Sequence, residues 1–317
     1  MAEIAVAVVS WNTRELLDAC LRSLAPAARD GIAEVWVVDN ASSDGSAALV
    51  RTAHPWATLI ERADNVGFGA AVNEVAGQTE TQWIAAANAD VELTPGALQT
   101  LLRAGREHPE SGVLAPRLEL PDESTQHSVR PFPTLALALL VNLGVGQAIW
   151  PLGDRLTLDG RWDPHRARRV DWAIGAFLLI RRRAWDAVGG FDERQWMYAE
   201  DLDLGWRLAR AGWSTWYEPG ATVRHASAAA TSQAWRDQRT EQWMRSTYAW
   251  MLRRRGAART RLYAALNVAG ALARAALLTP GAVARPRRYG ARRQAMLTWA
   301  RLHKLGLRRR SALEHHR

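Results

Sequence analysis

Apolar positions along this chain follow two rhythms. Unbroken runs at Ile4–Ser10, Val35–Asp39 and Trp83–Ala87 predict strands buried on both faces, as in a parallel sheet. Between the first two, Leu16, Leu17, Cys20, Leu21 and Leu24 recur at intervals of three and four, which predicts a helix over about Arg14–Ala25, capped by Asn12 or Thr13. Thr58–Glu61 reads as a short third strand and Pro95–Arg106 as a helix. Gly112–Arg117 is another strand, followed by a hairpin-like excursion over Leu118–Gln126. This order points to an α/β, doubly wound, mostly parallel sheet with helices on both faces, in which ligands bind beyond the carboxyl ends of the strands.

The second half keeps the alternation. Arg169–Ile180 reads as a strand with a small pair, Gly175-Ala176, that leaves room for something to pack against it. A helix over Arg181–Val188 ends at Gly189-Gly190, adjacent residues that take positive φ without steric cost and so mark a tight turn. Leu204, Leu208 and Ala211 recur at helical spacing behind Glu200-Asp201-Leu202-Asp203. Ser214–Tyr217 is a last strand, and past a turn at Pro219-Gly220 the chain reaches His225. Leu135–Ile149 is apolar but too short to span a bilayer; it is either a core helix or a segment lying at a membrane surface. From Gln233 the composition changes, and Thr260, Tyr263, Asn267, Gly270 and Arg274 form a narrow polar stripe on an otherwise apolar helix.

Charge sharpens that division. The net charge is +9, but residues 1–223 carry −9 and residues 224–317 carry +18. The basicity belongs to the tail. Its clusters at Arg253-Arg254-Arg255, Arg287-Arg288, Arg292-Arg293 and Arg308-Arg309-Arg310 favour an anionic membrane surface, by about 1 kcal/mol for each residue that reaches it. Arg274 at mid-bilayer would cost about 2.5–3.5 kcal/mol and the apolar part reads as shorter than a span, so an in-plane interfacial helix fits better. The other reading of the tail is a helical cap with a solvated basic face. No aromatic-plus-basic recognition motif accompanies the charge, which argues against nucleic acid. Cys20 is the only cysteine, so no internal disulfide forms; a buried structural thiol in a reducing cytoplasm is expected. No charged-then-apolar leader precedes the first strand.

Several residues stand where chemistry is done. Asp39 ends the second strand. The first strand is followed by Ser-Trp-Asn-Thr-Arg-Glu rather than a glycine-rich turn, which disfavours both a dinucleotide fold and nucleotidyl transfer. The small residues of Asp64–Asn73 either let a helix N-terminus approach a ligand or merely pack. Acids at Glu200–Asp203 either complement the helix dipole or provide a carboxylate positioned as a general base.

Taken as a string, Gly189-Gly190-Phe191-Asp192-Glu193, then Met197-Tyr198, then Glu200-Asp201-Leu202-Asp203 and Arg207 resembles the acceptor-side signature of family 2 glycosyltransferases, in particular the bacterial branch related to rhamnosyltransferases. The resemblance runs from about Ile4 to His225 and implies a GT-A fold that moves a sugar from a nucleotide diphosphate with inversion at the anomeric carbon. It implies that Asp39 contacts the base, where a carboxylate accepts the imide N–H of uracil or thymine, and that Ser10 lines the same pocket. Asn65 and Gly67, in the block Asn-x-Gly-Phe-Gly-Ala-Ala-x-Asn, would approach the nucleotide, while Asp44 caps a helix. Asn88-Ala89-Asp90 stands where the family has Asp-x-Asp, so Mg²⁺ or Mn²⁺ would offset the charge of the departing pyrophosphate with Asp90 as the one fully charged ligand. Asn88 and His225 are the further metal candidates. Trp172, Gly175, Ala176 and Glu200 are expected at the sugars, Arg130 at an acceptor phosphate, and Asp201 as the base. Asp203 is expected on the helix surface or as a cap, and Arg207 in a structural ion pair.

The expected domains are a catalytic domain at 1–228, with a nucleotide-binding half at 1–117 and an acceptor half at 118–228, and a basic, membrane-associating helical region at 229–317. The expected activity is metal-assisted transfer, with dTDP-L-rhamnose as first donor, to a polyprenyl-diphosphate-linked or polysaccharide acceptor of the cell envelope, at the inner face of the cell membrane. The alternative is a non-catalytic nucleotide-sugar-binding scaffold of a membrane glycan-assembly complex. The oligomeric state has no signal in the sequence.

Overall fold

The computed structural model describes residues 2–226, 238–309 and 313. They divide into two units, Met1–Phe132 with Asp163–Arg236, and Pro133–Trp162 with Asp237–Arg317. Residues 133–162, expected in the acceptor half, fall in the second unit; the expected boundary near residue 228 lies outside the described residues.

The first unit opens with β1 (Ile4–Ser10), α1 (Arg14–Arg29), β2 (Ala33–Asp39), α2 (Ser46–Ala53) and β3 (Thr58–Glu61). There follow α3 (Phe68–Gln78), β4 (Trp83–Asn88), β5 (Val91–Leu93), α4 (Ala97–Glu107), β6 (Ser111–Glu119) and β7 (Val129–Arg130). The chain leaves for α5 (Leu135–Asn142), α6 (Val145–Ala148) and α7 (Trp150–Arg155) and returns at β8 (Arg168–Val170) and β9 (Trp172–Ala173). Then come β10 (Phe177–Arg181), α8 (Arg182–Val188), α9 (Glu200–Arg210) and β11 (Ser214–His225). The main sheet runs β3-β2-β1-β4-β10-β6-β11-β5 with β8 on β11; β3, β2, β1 and β4 are parallel to one another, and β10 enters antiparallel.

Alternation along β1 explains why the sheet is covered on both sides. Ile4, Val6 and Val8 share a cluster with Leu17, Leu21 and Leu24 of α1 and Leu98 and Leu101 of α4. Ala5 and Ala7, equally buried, point the other way, where α3 lies along β1. Cys20 is fully buried in the first cluster, and burial pushes its thiol far up, as suits a structural side chain.

Three local readings change. Neither Asn12 nor Thr13 caps α1: Thr13 Oγ1 turns to Ser10 Oγ at 3.1 Å, and Asp44 supplies the cap from thirty residues away, its Oδ2 accepting the Arg14 N–H at 2.8 Å. The other oxygen of Asp44 accepts the Ser46 N–H at 3.0 Å, so one carboxylate starts both α1 and α2. Helix α1 runs on through Pro26 to Arg29, because burial of Ala27 continues the stripe and outweighs one missing backbone bond. Arg169–Ile180 is not one strand but β8, β9 and β10: β9 pairs with β7 in a separate small sheet, and Gly175-Ala176 lies in the break.

The second unit holds α5, α6, α7, then α10 (Arg239–Arg254), α11 (Ala257–Ala284) and α12 (Pro286–His303). Helix α11 has 28 residues and is, by length and composition, long and apolar enough to cross a membrane, longer than the sequence pattern indicated. Its polar stripe faces inward. Thr260 and Asn267 are buried, Asn142 Nδ2 of α5 donates to Asn267 Oδ1 at 3.1 Å, and Arg274 Nη2 donates to Asn142 Oδ1 at 2.9 Å. A Cβ on Gly270 would collide with Asn142. The stripe is a packing seam because α5 supplies the partners that water would otherwise supply.

Candidate active site

Parallel pairing sets Ser10 opposite Asp39 at the carboxyl ends of β1 and β2. Asp39 is 4% exposed, and burial raises its carboxyl above the ordinary aspartate value against the hydroxyl and N–H of Ser42. Its Oδ1 and the Oδ1 of neighbouring Asn40 are buried acceptors without a donor. Above them, Asn65 Oδ1 accepts the Gly67 N–H at 3.0 Å in an Asx turn that starts α3. Gly67 sits at φ +87°, and a Cβ there would collide with the Trp196 carbonyl.

That loop is stapled to the double-glycine turn. Asn73 Oδ1 accepts the Phe191 N–H at 2.9 Å, and its Nδ2 donates to Phe191 O and Glu193 Oε1, both at 3.0 Å. Trp196 Nε1 donates to Asn65 O at 3.1 Å. Gly190, at φ +70°, leaves no room for a Cβ, which would lie 2.6 Å from Asn73 Oδ1. Arg207 closes the turn from beneath, donating to Val188 O at 2.7 Å and Gly190 O at 2.6 Å while paired with Asp203 at 2.6 Å. Asp203 is therefore not a helix-surface or capping acid: it is fully buried, and its charge is balanced by Arg207. Replacing Asn73 with Ala is expected to lower kcat about tenfold, since the staple fixes the turn that leads into α9. Steady-state kinetics of the variant checks this, and a change confined to KM would refute it.

Tyr198 and Ala199, at φ +62° and +65°, deliver the chain to α9 in left-handed conformations that non-glycine residues seldom adopt. Asp201 then accepts the Leu202 N–H at 2.7 Å through Oδ1 and the Gly175 N–H at 3.0 Å through Oδ2. The adjoining Ala176 carbonyl accepts the Asn88 N–H at 2.9 Å. Two consecutive residues thus tie Asp201 to the Asn88–Asp90 loop.

Glu200 Oε2 is buried without a partner, and burial, reinforced by the Asp201 charge, pushes its carboxyl up to about 8. Burial also raises Asp201, but two N–H donors and the charge of Arg130 oppose the rise. Glu200 thus holds its proton well above the ordinary glutamate range, beside an Asp201 whose two oxygens each accept a backbone N–H.

Asp90 Oδ1 and His225 Nε2 lie 3.3 Å apart, both buried and not aligned for a hydrogen bond. His225 Nδ1 meets Gln126 Oε1 at 2.7 Å. With the proton on Nδ1, the Nε2 lone pair faces a carboxylate oxygen, a juxtaposition that a cation relieves. Two donors on one ion at about 2.1 Å each would stand about 3 Å apart in neighbouring octahedral positions, so the pair fits Mg²⁺ or Mn²⁺. Among the described residues no three His, Cys, Asp or Glu side chains converge, so the remaining positions would be open to an amide oxygen such as that of Asn88, to the donor or to water.

Trp172, expected beside a sugar, is 5% exposed, donates its indole N–H to Pro131 O at 3.2 Å and packs against Gly205 of α9. Its Cβ lies against Gly205, and its indole nitrogen already has a partner within the protein. Asn73, Trp196 and Gln126 were not singled out by the sequence reading. Asn73 closes the glycine-rich block and had a signal there; Gln126, in an excursion without periodicity, had none.

The description "Glycosyl transferase family 2" matches residues 5–150 and "Glycosyl transferase family group 2" matches residues 154–302. An N-acetylglucosaminyl-diphospho-decaprenol L-rhamnosyltransferase of Mycobacterium tuberculosis is 36% identical over 242 residues, 72% of this chain and 77% of that protein. Rhamnosyltransferase WbbL of Escherichia coli is 43% identical over 56 residues, 18% of this chain and 21% of its own. Among solved structures, mannosyltransferase PcManGT from Pyrobaculum calidifontis, in complex with GDP-Man and Mn²⁺, aligns with a TM-score of 0.58 at 20% identity, over 96% of this chain and 87% of that one. GalNAc-T7 with UDP, GalNAc and Mn²⁺ aligns with a TM-score of 0.53 at 12% identity, over 76% and 50%. At those identities the likeness is one of fold.

Proposed function

Because the chain belongs to glycosyl transferase family 2, we propose that it moves L-rhamnose from a nucleotide diphosphate, dTDP in the first instance, onto a polyprenyl-diphosphate-linked sugar in cell-envelope glycan synthesis. The observation that carries the reading is the bridge at Gly175-Ala176, which ties Asp201 to the loop of Asp90.

The orphaned Asp39 Oδ1 accepts the imide N–H of a pyrimidine base, and Ser10, Asn65 and Gly67 border it. Glu200, neutral, presents a donor to a sugar oxygen. Asp201 takes the proton of the acceptor hydroxyl as its oxygen bonds to the anomeric carbon; the bond to the diphosphate oxygen breaks, its electron pair leaves with the phosphate, and the anomeric centre inverts. Asp90 and His225 would hold a divalent cation, which supplies charge to stabilise the departing diphosphate. Arg130, close enough to bias Asp201 electrostatically, would meet an acceptor phosphate. A nucleotide-sugar donor and a polyprenyl acceptor would meet at the inner face of the membrane.

Incubating the purified protein with dTDP-L-rhamnose, a lipid-linked N-acetylglucosamine acceptor and Mg²⁺ or Mn²⁺ tests the proposal. A rhamnosylated lipid is expected by mass spectrometry. If neither thymidine nor uridine diphosphosugars are consumed by folded protein, the donor assignment is wrong, and a scaffold that only binds nucleotide sugar becomes the better reading.

A further inference from the structure

Helix α11 is amphipathic in the inverted sense. Leu262, Leu272, Leu277 and Val283 are 50%, 45%, 82% and 79% exposed, and at 100° per residue they fall within an arc of about 140°. The opposite side carries buried Thr260, Asn267 and the Arg274 contacts to α5. Among the described residues, ten of the eleven large exposed hydrophobic side chains belong to this unit; Trp56 is the eleventh. An apolar face turned outward is costly in water. The charge around it has one sign: residues 242–313 contain seventeen basic residues and no acidic one.

Helix α12 settles the direction in which such a face would lie. It returns along α11, with Arg293 Nε donating to Thr279 Oγ1 at 3.0 Å and the Tyr289 ring against Gly281. At its other end the His303 ring is 6.5 Å from that of Tyr263. Were α11 to cross a bilayer, its own Arg274 and then Arg292 and Arg293 of its antiparallel neighbour would be drawn toward hydrocarbon, at a penalty for each. Lying flat, the arginines of α12 stay among phosphates.

We propose that α11 lies in the plane of an anionic phospholipid bilayer, its Leu262–Leu272–Leu277–Val283 face in the hydrocarbon and the arginines of α12 at the headgroups. The face is not the water-exposed basic cap that the sequence also allowed, nor a span, and the inference stands whichever sugar the first unit transfers.

Flotation of the full chain with vesicles of phosphatidylglycerol and phosphatidylethanolamine, against pure phosphatidylcholine, tests it. At least tenfold more protein is expected on the anionic vesicles. L277E/V283E should reduce that bound fraction at least tenfold with an unchanged melting curve and unchanged hydrolysis of a soluble donor. A wild-type chain that stays unbound at low salt, or a variant that floats like wild type, would overturn the proposal, as would RNA retention without vesicle retention. Cysteines introduced singly at Ala257 and Arg285, both exposed and on the side of the helix away from the apolar arc, fix the geometry with an impermeant maleimide added outside the vesicles, since Cys20 is buried. Labelling of both supports an in-plane helix; labelling of only one means a span and refutes it.

Discussion

Asp201→Asn is expected to lower kcat by about 10³-fold, within the 10²–10⁴ range of a general base, while the affinity for the nucleotide donor stays within about twofold. The amide keeps the side chain's size but lacks a basic oxygen. It also sets an NH₂ against either the Leu202 or the Gly175 N–H, since both carboxylate oxygens now accept a backbone donor. On the proposed reading, donor binding rests on Asp39, Ser10 and the loop at Gly67 rather than on Asp201. Single-turnover assays with calorimetric donor binding separate the two; equal loss of both would mean that Asp201 serves binding. The pH profile adds a second readout. Activity should rise as Asp201 ionises, above the ordinary aspartate range because burial raises it, and fall again near pH 8 as Glu200 ionises beside it. Glu200→Gln should remove the alkaline fall. The same shift acts on stability: the folded chain retains a Glu200 proton that the unfolded chain releases near 4.5, so stability is lost as pH rises from there through about 8. Melting temperatures of the Gln variant should exceed wild type most at the alkaline end.

Asp90→Ala should cost about 10²–10³-fold in kcat, the scale of losing one preorganised electrostatic partner of a leaving group, and abolish the response to added Mg²⁺ or Mn²⁺. His225 alone leaves one neutral donor, and the buried Nε2 then faces an empty space. Titrating metal against wild type and variant checks it. A variant still activated by metal would place the cation elsewhere. Gln126→Ala, which frees the His225 tautomer without touching Asp90, should weaken metal dependence less.

Much of the fold was legible because strands of a covered parallel sheet are continuous apolar runs. The first four strands of the chain, the double-glycine turn and the acid-rich helix start stand where the patterns put them. Errors arose where a residue's partner is far along the chain. The cap of α1 comes from Asp44, and the segment 169–180 breaks because β9 pairs with β7 rather than with the main sheet. Hydroxyl, acid and strand propensities are local, whereas these choices were made by competing distant partners.

The chain's sequence by itself determined its class, its family and the identity of the acids at the strand and helix ends, because apolar periodicity and motif spacing are local properties that survive without coordinates. Only the tertiary structure decided which of those acids keep company: that burial raises Glu200 beside Asp201, that Gln126 turns His225 toward Asp90, and that the polar stripe of α11 faces α5. The physical reason is that protonation, tautomer and facing depend on burial and on hydrogen-bond partners 30 to 130 residues away, as with Asn142 and Asn267 or Gln126 and His225, and no window along the chain contains them.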